Sequence, residues 1–125
     1  MELIIGGAYQ GKENYVKSTF SLSKDEIFVC DTEKEPDFSK KCLSHIEKWS
    51  YQCIKNGIEP ADAFFEHVPF PNDLIVISDD ISCGVVPVDP TERAWREANG
   101  RLLLRLAEKS EHVTRIFCGI PMRLK

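Results

Sequence analysis

The chain lacks the features of several protein classes. No apolar run in its 125 residues approaches the ~20 residues that a membrane-spanning helix needs. Acidic residues outnumber basic ones and the net charge is −4, so no general attraction to nucleic acid is expected. No basic start is followed by an apolar core and a cleavage site, which predicts a cytoplasmic protein without a secretion signal.

The five cysteines form no pattern that would indicate a metal site or a disulfide framework. Their number is odd, and no two of them have the C-x-x-C spacing. Most are interpreted as small core residues, and one in a predicted loop, Cys83, is kept as an alternative catalytic thiol. The cysteines are Cys30, Cys42, Cys53, Cys83 and Cys118.

Short apolar runs alternate with amphipathic segments along the chain. The length predicts one domain, residues 1–125. The alternation predicts a single-domain P-loop NTPase-like α/β fold, with a mostly parallel sheet of about four to five strands and helices on both faces. Strands are predicted at residues 2–5, 26–30, 74–77 and 112–118, and helices at residues 12–22, within 36–70, and from 90 onward.

The middle of the chain shows a helical period. Apolar residues recur at three- and four-residue steps from Leu43 through Trp49 to Ile54, which predicts an amphipathic helix and no strand between Asp31 and Leu74. The histidines have no partner pattern and are interpreted as surface or half-buried residues rather than catalysts. They are His45, His67 and His112.

The most informative motif is G-x-x-x-x-G-K directly after the first apolar run. Such a loop binds phosphate with inward-pointing amides, a helix N-terminus and a lysine for the outer phosphates. Gly6 and Gly11 are expected to adopt positive φ angles there. The alternative is a tight glycine-rich turn with a solvated lysine. The candidate nucleotide-binding residues are Gly6, Gly7, Ala8, Tyr9, Gln10, Gly11, Lys12 and Glu13.

Glu13 stands where such loops carry Ser or Thr to hold Mg²⁺. Three interpretations stay open for it: a first-turn acid that favours the helix dipole, a Mg²⁺ ligand, or a sign of weak or metal-free nucleotide binding.

Asp79 and Asp80 follow a buried strand, as metal-holding or water-orienting acids do in nucleotide enzymes. Adjacent strand residues point to opposite faces, so at most one is expected to face the site. The carboxyl ends of parallel strands would bring this pair, Asp31 and the glycine-rich loop to one edge. The alternative for the pair is a solvated loop cap.

A clear helix start lies at Asp89, where Asp-Pro-Thr-Glu predicts a capping box closed by Glu92. Trp95, Ala98, Leu102 and Leu106 predict the apolar face of this helix. Arg96 and Arg101 are expected to pair with Glu92 and Glu97 four residues earlier.

Four segments match a known family in order and spacing. Its G-G-x-x-S-G-K-S corresponds to residues 6–13, and its N-E-V-G-x-G-[IV]-V-P to residues 79–87, D-D-I-S-C-G-V-V-P. Its R-x-[FW]-R-[DE]-x-x-G-R-x-N corresponds to residues 93–103, R-A-W-R-E-A-N-G-R-L-L, and its S-G-I-x tail to residues 118–121. On these motifs the chain resembles the adenosylcobinamide kinase/adenosylcobinamide-phosphate guanylyltransferase family of cobalamin biosynthesis.

The chain also departs from the family pattern. Family members are longer and have a central strand ending in an acid, which is not predicted here. Their guanylylated histidine lies in R-I-x-x-H-[RK], and the residues around His45 differ from that context. The family's Asn-Glu pair is replaced by Asp79-Asp80, and its helix asparagine by Leu103. The resemblance is therefore to a shortened, divergent paralogue that has lost the guanylyltransferase part.

The resemblance implies a kinase that transfers the γ-phosphate of ATP or GTP to a corrinoid hydroxyl. Lys12 and Asp80 would be catalytic, and Glu13 and Asp79 would hold Mg²⁺. Arg93, Arg96 and Arg101 would line the acceptor side or a subunit contact, since the family forms homo-oligomers. Two alternatives stay open: a non-catalytic module that binds nucleotide or corrinoid through a degenerate loop, and a scaffold with an empty loop.

Overall fold

A computed structural model describes residues 1–82 and 84–125. Six strands form one sheet in this part of the chain. They are β1 (Glu2–Gly6), β2 (Ile27–Val29), β3 (Cys42–Ser44), β4 (Ile75–Asp79), β5 (His112–Phe117) and β6 (Ile120–Arg123). Their order across the sheet is β2-β3-β4-β1-β5-β6, and only the β5–β6 pairing is antiparallel.

Helices cover both faces of this sheet, as the alternation of strands and helices predicts. They are α1 (Lys12–Thr19), α2 (Ile46–Lys55), α3 (Pro60–His67) and α4 (Pro90–Lys109). Val16 of α1 packs with Ile4, Ile77 and Ile116 on one face. The other helices pack against the opposite face, in a core that contains Ile46, Trp49, Phe64, Leu102 and Leu106 together with Leu3, Val76 and Val113 of the sheet. The chain thus has a P-loop NTPase-like α/β fold.

The prediction that no strand lies between Asp31 and Leu74 is wrong. Cys42 and Leu43 of β3 pair in parallel with Ile75 and Val76 of β4. The strand was hidden because its three residues continue the helical spacing of α2, which begins at Ile46. The sheet therefore has six strands instead of about four to five.

The strand order places the start of α1 at the middle of the sheet. β1 lies between β4 and β5, and its register puts Gly6 opposite Asp79. The next strand along the chain, β2, lies three positions away, on the far side of β4 and β3. In open parallel sheets, ligands bind beyond the carboxyl ends of strands where connections diverge in this way.

Helix α4 keeps its predicted apolar face but not its predicted ion pairs. Ala98, Leu102 and Leu106 are buried. Its N-cap Asp89 accepts from the Thr91 N–H at 2.8 Å, one position earlier than the predicted capping box requires. None of the helices in the described residues is both long and apolar enough to span a membrane.

Candidate functional site

The glycine-rich segment forms an open turn between β1 and α1. Gly11 is the N-cap of α1 and has φ 87°, as predicted. Gly6 does not share this property, which corrects the prediction of a positive φ at that residue. It is the last residue of β1, and a Cβ there would lie 2.5 Å from the Ile116 carbonyl oxygen. Gly6 is therefore required by the close approach of β5, not by its own backbone dihedrals.

The far side of this turn is tied to the connection between β5 and β6. The Gln10 carbonyl accepts from the Gly119 N–H at 2.9 Å. The Gln10 side-chain oxygen accepts from the Cys118 N–H at 2.5 Å. Gly11 lacks a side chain that could cap α1, so the first amides of that helix keep their donors for another acceptor. This arrangement suits an anion at the helix N-terminus.

Lys12 is folded back over its own turn. Its Nζ donates to the Gly7 carbonyl at 2.6 Å and lies 2.6 Å from Asp79 Oδ1. The residue is only 6% exposed, so its charge is held among these two partners and not in bulk water. A buried ammonium needs such partners because removing it from water is costly.

The turn opens into a cavity of about 590 Å³. Loop residues line one side of it, and residues at the carboxyl ends of β3 and β4 line the other. The lining residues are Ala8, Tyr9, Gln10, Gly11, Lys12, Glu13, Asn14, Ser44, His45, Lys48, Ile77 and Asp79. Lys12 and Lys48 bring positive charge to this space together with the amides of α1. The volume is within the range of small-molecule sites.

Two side chains from the start of α2 and one from the end of β4 meet at one edge of the cavity. His45 Nδ1 lies 2.9 Å from Glu47 Oε1 and 3.7 Å from Asp79 Oδ2. The other Glu47 oxygen accepts from the Asp79 N–H at 3.1 Å. One donor atom from each residue lies within 4.8 Å of the other two.

The electrostatics of this cluster follow from burial. Glu47 is 2% exposed, so its carboxylate is almost fully removed from water. The hydrogen bond with Glu47 raises the pKa of His45 above its ordinary value, against an opposing effect of burial. Next to His45, Ser44 is 1% exposed, and its hydroxyl has no hydrogen-bond partner among the described residues.

Asp79 reaches the cavity, whereas Asp80 turns into the following loop. The Asp80 carboxylate accepts from the Ser82 N–H at 3.0 Å and from the Ser82 hydroxyl at 2.6 Å. Its own N–H donates to the Gly6 carbonyl. Asp31, also expected at this edge, accepts from the amides of Glu33 and Lys34. Glu13 lines the cavity but does not belong to the cluster around Asp79.

The three candidate arginines of α4 contact groups outside the helix, including Arg96 and Arg101, for which the sequence suggested partners within it. Arg93 donates to the carbonyls of Pro87 and Val88, and Arg96 donates to those of Val85 and Ser82. Both arginines therefore hold the loop that follows β4. Arg101 instead forms a two-pronged ion pair with Glu59 at 3.0 and 3.1 Å. The predicted i,i+4 ion pairs of Arg96 with Glu92 and of Arg101 with Glu97 are not among the ion pairs of the described residues, so that prediction is wrong.

The cysteines divide by exposure. Burial raises the pKa of three thiols to about 12, which makes them poor nucleophiles. These are Cys30, Cys42 and Cys53. Cys118 is exposed. The candidate catalytic thiol, Cys83, lies outside the described residues.

Sequence reasoning missed His45 and Glu47 as site residues. Both lie beside β3, the strand that the helical period concealed, and His45 occupies the left-handed region at φ 58° between that strand and α2. A polar histidine and glutamate next to an apolar run were the available signal, but without the strand nothing placed them beside Asp79.

The fold and this site define an α/β protein with a phosphate-loop-like turn at the centre of its sheet. A family model for cobinamide kinase / cobinamide phosphate guanyltransferase matches residues 38–124, so the chain belongs to that family. The match begins after the glycine-rich turn and includes β3, β4 and α4. A comparison with curated proteins gave no match.

Proposed function

We propose that the chain binds a nucleotide through the phosphate-loop-like turn and phosphorylates a corrinoid hydroxyl with ATP or GTP. The observation that carries the proposal is the cavity in which the uncapped N-terminus of α1 and the buried Lys12 meet the ends of β3 and β4. Membership of the family implies a cobinamide kinase- or guanyltransferase-like role in cobalamin biosynthesis.

The chain's own residues would act mainly by holding and neutralising phosphates. The first amides of α1 would donate to phosphate oxygens, and the positive end of the helix dipole would favour their charge. Lys12 would exchange its contacts with Gly7 and Asp79 for the outer phosphates. A bound Mg²⁺ would supply charge neutralisation across the phosphates. Glu13 and Asp79 are the carboxylates at the cavity that could hold it.

Asp79 would take the role that the sequence suggested for Asp80. Its carboxylate lies at the cavity beside His45 and Lys12, where it could orient a metal, a water or the acceptor hydroxyl. Asp80 would support this placement through its hydrogen bonds at the end of β4.

The acceptor would approach along the loop after β4. Arg93 and Arg96 hold this loop through its carbonyls, and it exposes Val85, Val86 and Val88. Exposed apolar side chains could cover part of a large corrinoid, and the arginines would set their position. Arg101 would contribute to the packing of α3 on α4. Self-association is a further part of the proposal, and size-exclusion chromatography with light scattering tests it.

Guanylyltransferase activity is not part of the proposal. The sequence R-I-x-x-H-[RK] that carries the family's guanylylated histidine does not occur around His45. His45 is placed instead by the β3–α2 junction and bonded to Glu47.

The second candidate is a module that binds nucleotide or corrinoid without catalysis. It is favoured by Glu13 in place of the usual hydroxyl residue, and by the two contacts that keep Lys12 on its own loop. Such contacts would weaken nucleotide binding by the free energy needed to break them.

The test measures the melting temperature with ATP, GTP and ADP, with and without Mg²⁺, together with turnover of cobinamide. A ligand at a hundred times its Kd stabilises the protein by about 2.7 kcal/mol. At roughly 4 °C per kcal/mol for a chain of this size, the expected shift is about 10 °C. Phosphorylated cobinamide supports the kinase, and a shift without turnover supports the module. No shift with any nucleotide would overturn the kinase and the nucleotide-binding module, and a shift with cobinamide alone would leave only a corrinoid-binding module.

Lys12→Ala should abolish the shift, because the outer phosphates lose their cation. Lys17→Ala is the matched control, since Lys17 lies in the last turn of the same helix. Each variant is compared with its own ligand-free melting temperature. An unchanged shift in Lys12→Ala would place the nucleotide elsewhere.

A further inference from the structure

The cluster of His45, Glu47 and Asp79 has the composition of a metal site. It offers one imidazole nitrogen and two carboxylates, whose donor atoms lie within 4.8 Å of one another. In a site with bonds of about 2.0–2.2 Å, neighbouring ligand atoms are about 3 to 3.5 Å apart. The observed separations of 2.9 Å for His45–Glu47 and 3.7 Å for His45–Asp79 bracket that spacing.

The outer oxygens of the cluster already have partners. Asp79 Oδ1 lies against Lys12, and Glu47 Oε2 accepts from the Asp79 N–H. Contacts to the outer oxygens therefore fix the orientation of both carboxylates. The atoms left for a metal ion are Asp79 Oδ2, Glu47 Oε1 and His45 Nδ1. Ligating groups in metal sites are held in this way by outer hydrogen bonds.

A second observation also points to a bound group. Ser44 is only 1% exposed, and its buried hydroxyl has no hydrogen-bond partner within residues 1–82 and 84–125. Ser44 precedes His45 and lines the same cavity. Leaving a buried hydroxyl without a hydrogen bond destabilises the folded state, so its retention at this place needs a reason. An ion with its water ligands beside it would supply one.

We propose that His45, Glu47 and Asp79 bind one divalent first-row transition-metal ion at the edge of the phosphate-loop cavity. Two carboxylates balance the charge of the ion, which also satisfies the buried Glu47. The imidazole sets the class of metal, because nitrogen ligands suit zinc, iron or nickel, whereas Mg²⁺ and Ca²⁺ prefer oxygen. All three protein ligands come from this chain, and one of them, Asp79, also contacts the phosphate-loop lysine through its other oxygen.

The experiment titrates chelator-treated protein with Zn²⁺ alone in a calorimeter and repeats the titration with Mg²⁺. All proteins carry Cys83→Ser and Cys118→Ser, so that neither the exposed thiol nor the one outside the described residues competes. We expect one Zn²⁺ per chain and much weaker binding of Mg²⁺. Absence of Zn²⁺ binding, or equal affinity for Mg²⁺, would overturn the proposal.

His45→Gly is the decisive variant, because glycine accepts the left-handed backbone at φ 58° and removes the ligand. Removing a residue that only hydrogen-bonds to a metal ligand lowers metal affinity by about 10- to 100-fold. Removing the ligand His45 itself should therefore weaken Zn²⁺ binding at least tenfold. If the glycine variant does not fold, as judged by circular dichroism, His45→Asn replaces it, since asparagine also tolerates that backbone.

His112→Ala provides the matched control. His112 Nδ1 lies 2.6 Å from Glu2 Oε1. It forms a similar histidine–carboxylate pair at the N-terminal ends of β1 and β5, away from the cavity. It is not part of a three-residue cluster in the described chain. Its replacement should leave Zn²⁺ affinity unchanged. Equal affinity in the His45 variant, or an equal loss in both, would refute the assignment.

Discussion

Replacing Gly6 with alanine tests whether the close approach of β1 to β5 requires a glycine at this position. A Cβ at Gly6 would lie 2.5 Å from the carbonyl oxygen of Ile116. Both partners belong to backbone in the centre of the sheet, so neither can move aside as a flexible side chain can. The strands would have to separate locally by about half an ångström or more, and Gly6 also starts the turn that carries Lys12.

The expected cost follows from the kind of contact. Forcing an extra methyl group into a packed region costs about 1–3 kcal/mol. With about 4 °C per kcal/mol for a chain of this length, the melting temperature should fall by about 4–12 °C. Urea unfolding followed by circular dichroism measures the free energy directly. The slope of the transition should stay unchanged if the effect is on the folded state.

Gly7→Ala is the control because it adds the same methyl group one residue later. Its Cβ would meet only the Cγ of Gln10, at an ordinary 3.6 Å. Gly7 is also not among the residues with positive φ. We expect Gly7→Ala to change stability by less than about 0.5 kcal/mol. Equal stability of the two variants would refute the argument from the Ile116 carbonyl.

Two further predictions concern thiols and acid stability. In a Cys83→Ser variant, Cys118 should be alkylated fast by iodoacetamide and the buried thiols slowly, as mass spectrometry would show; a second fast thiol would contradict the assigned burial. The hydrogen bond from Lys41 lowers the pKa of Glu26 to about 2, so its stabilising effect is present above pH 4.5 and lost as the pH falls toward 2. Glu26→Gln should flatten acid unfolding in that range, and an unchanged pH profile would contradict this.

The parts of the fold that the sequence predicted are those in which one signal dominates. β1 and β4 are continuous apolar runs, and α4 has both a start signal and a long apolar face. β3 could not be found in the same way, because three residues that extend a helical period carry no separate pattern. Its position became visible only through pairing with β4, which is a long-range contact.

Of the candidate site, only the glycine-rich turn and its lysine were predictable from the sequence. Local spacing identified Lys12 and Gly11, since a strand, a turn and a helix follow one another within a few residues. The approach of Ile116 to Gly6 and the meeting of His45 with Asp79 depend on strand order, which local spacing does not encode. The predicted partner of Arg101 was wrong for the same reason. Arg101 pairs with Glu59, which precedes α3, instead of with Glu97 of its own helix.

Asp79 connects the two proposed ligands. Its Oδ1 lies beside Lys12, and its Oδ2 faces His45. A phosphate that draws Lys12 away would leave this carboxylate with less positive charge, and a metal ion at His45 and Glu47 would replace it. Each ligand should therefore favour the other by the same factor, because coupling between sites is reciprocal. Calorimetric titration of either ligand in the presence of the other measures this factor, and independent binding would show that Lys12 stays on Asp79 when the phosphates are bound.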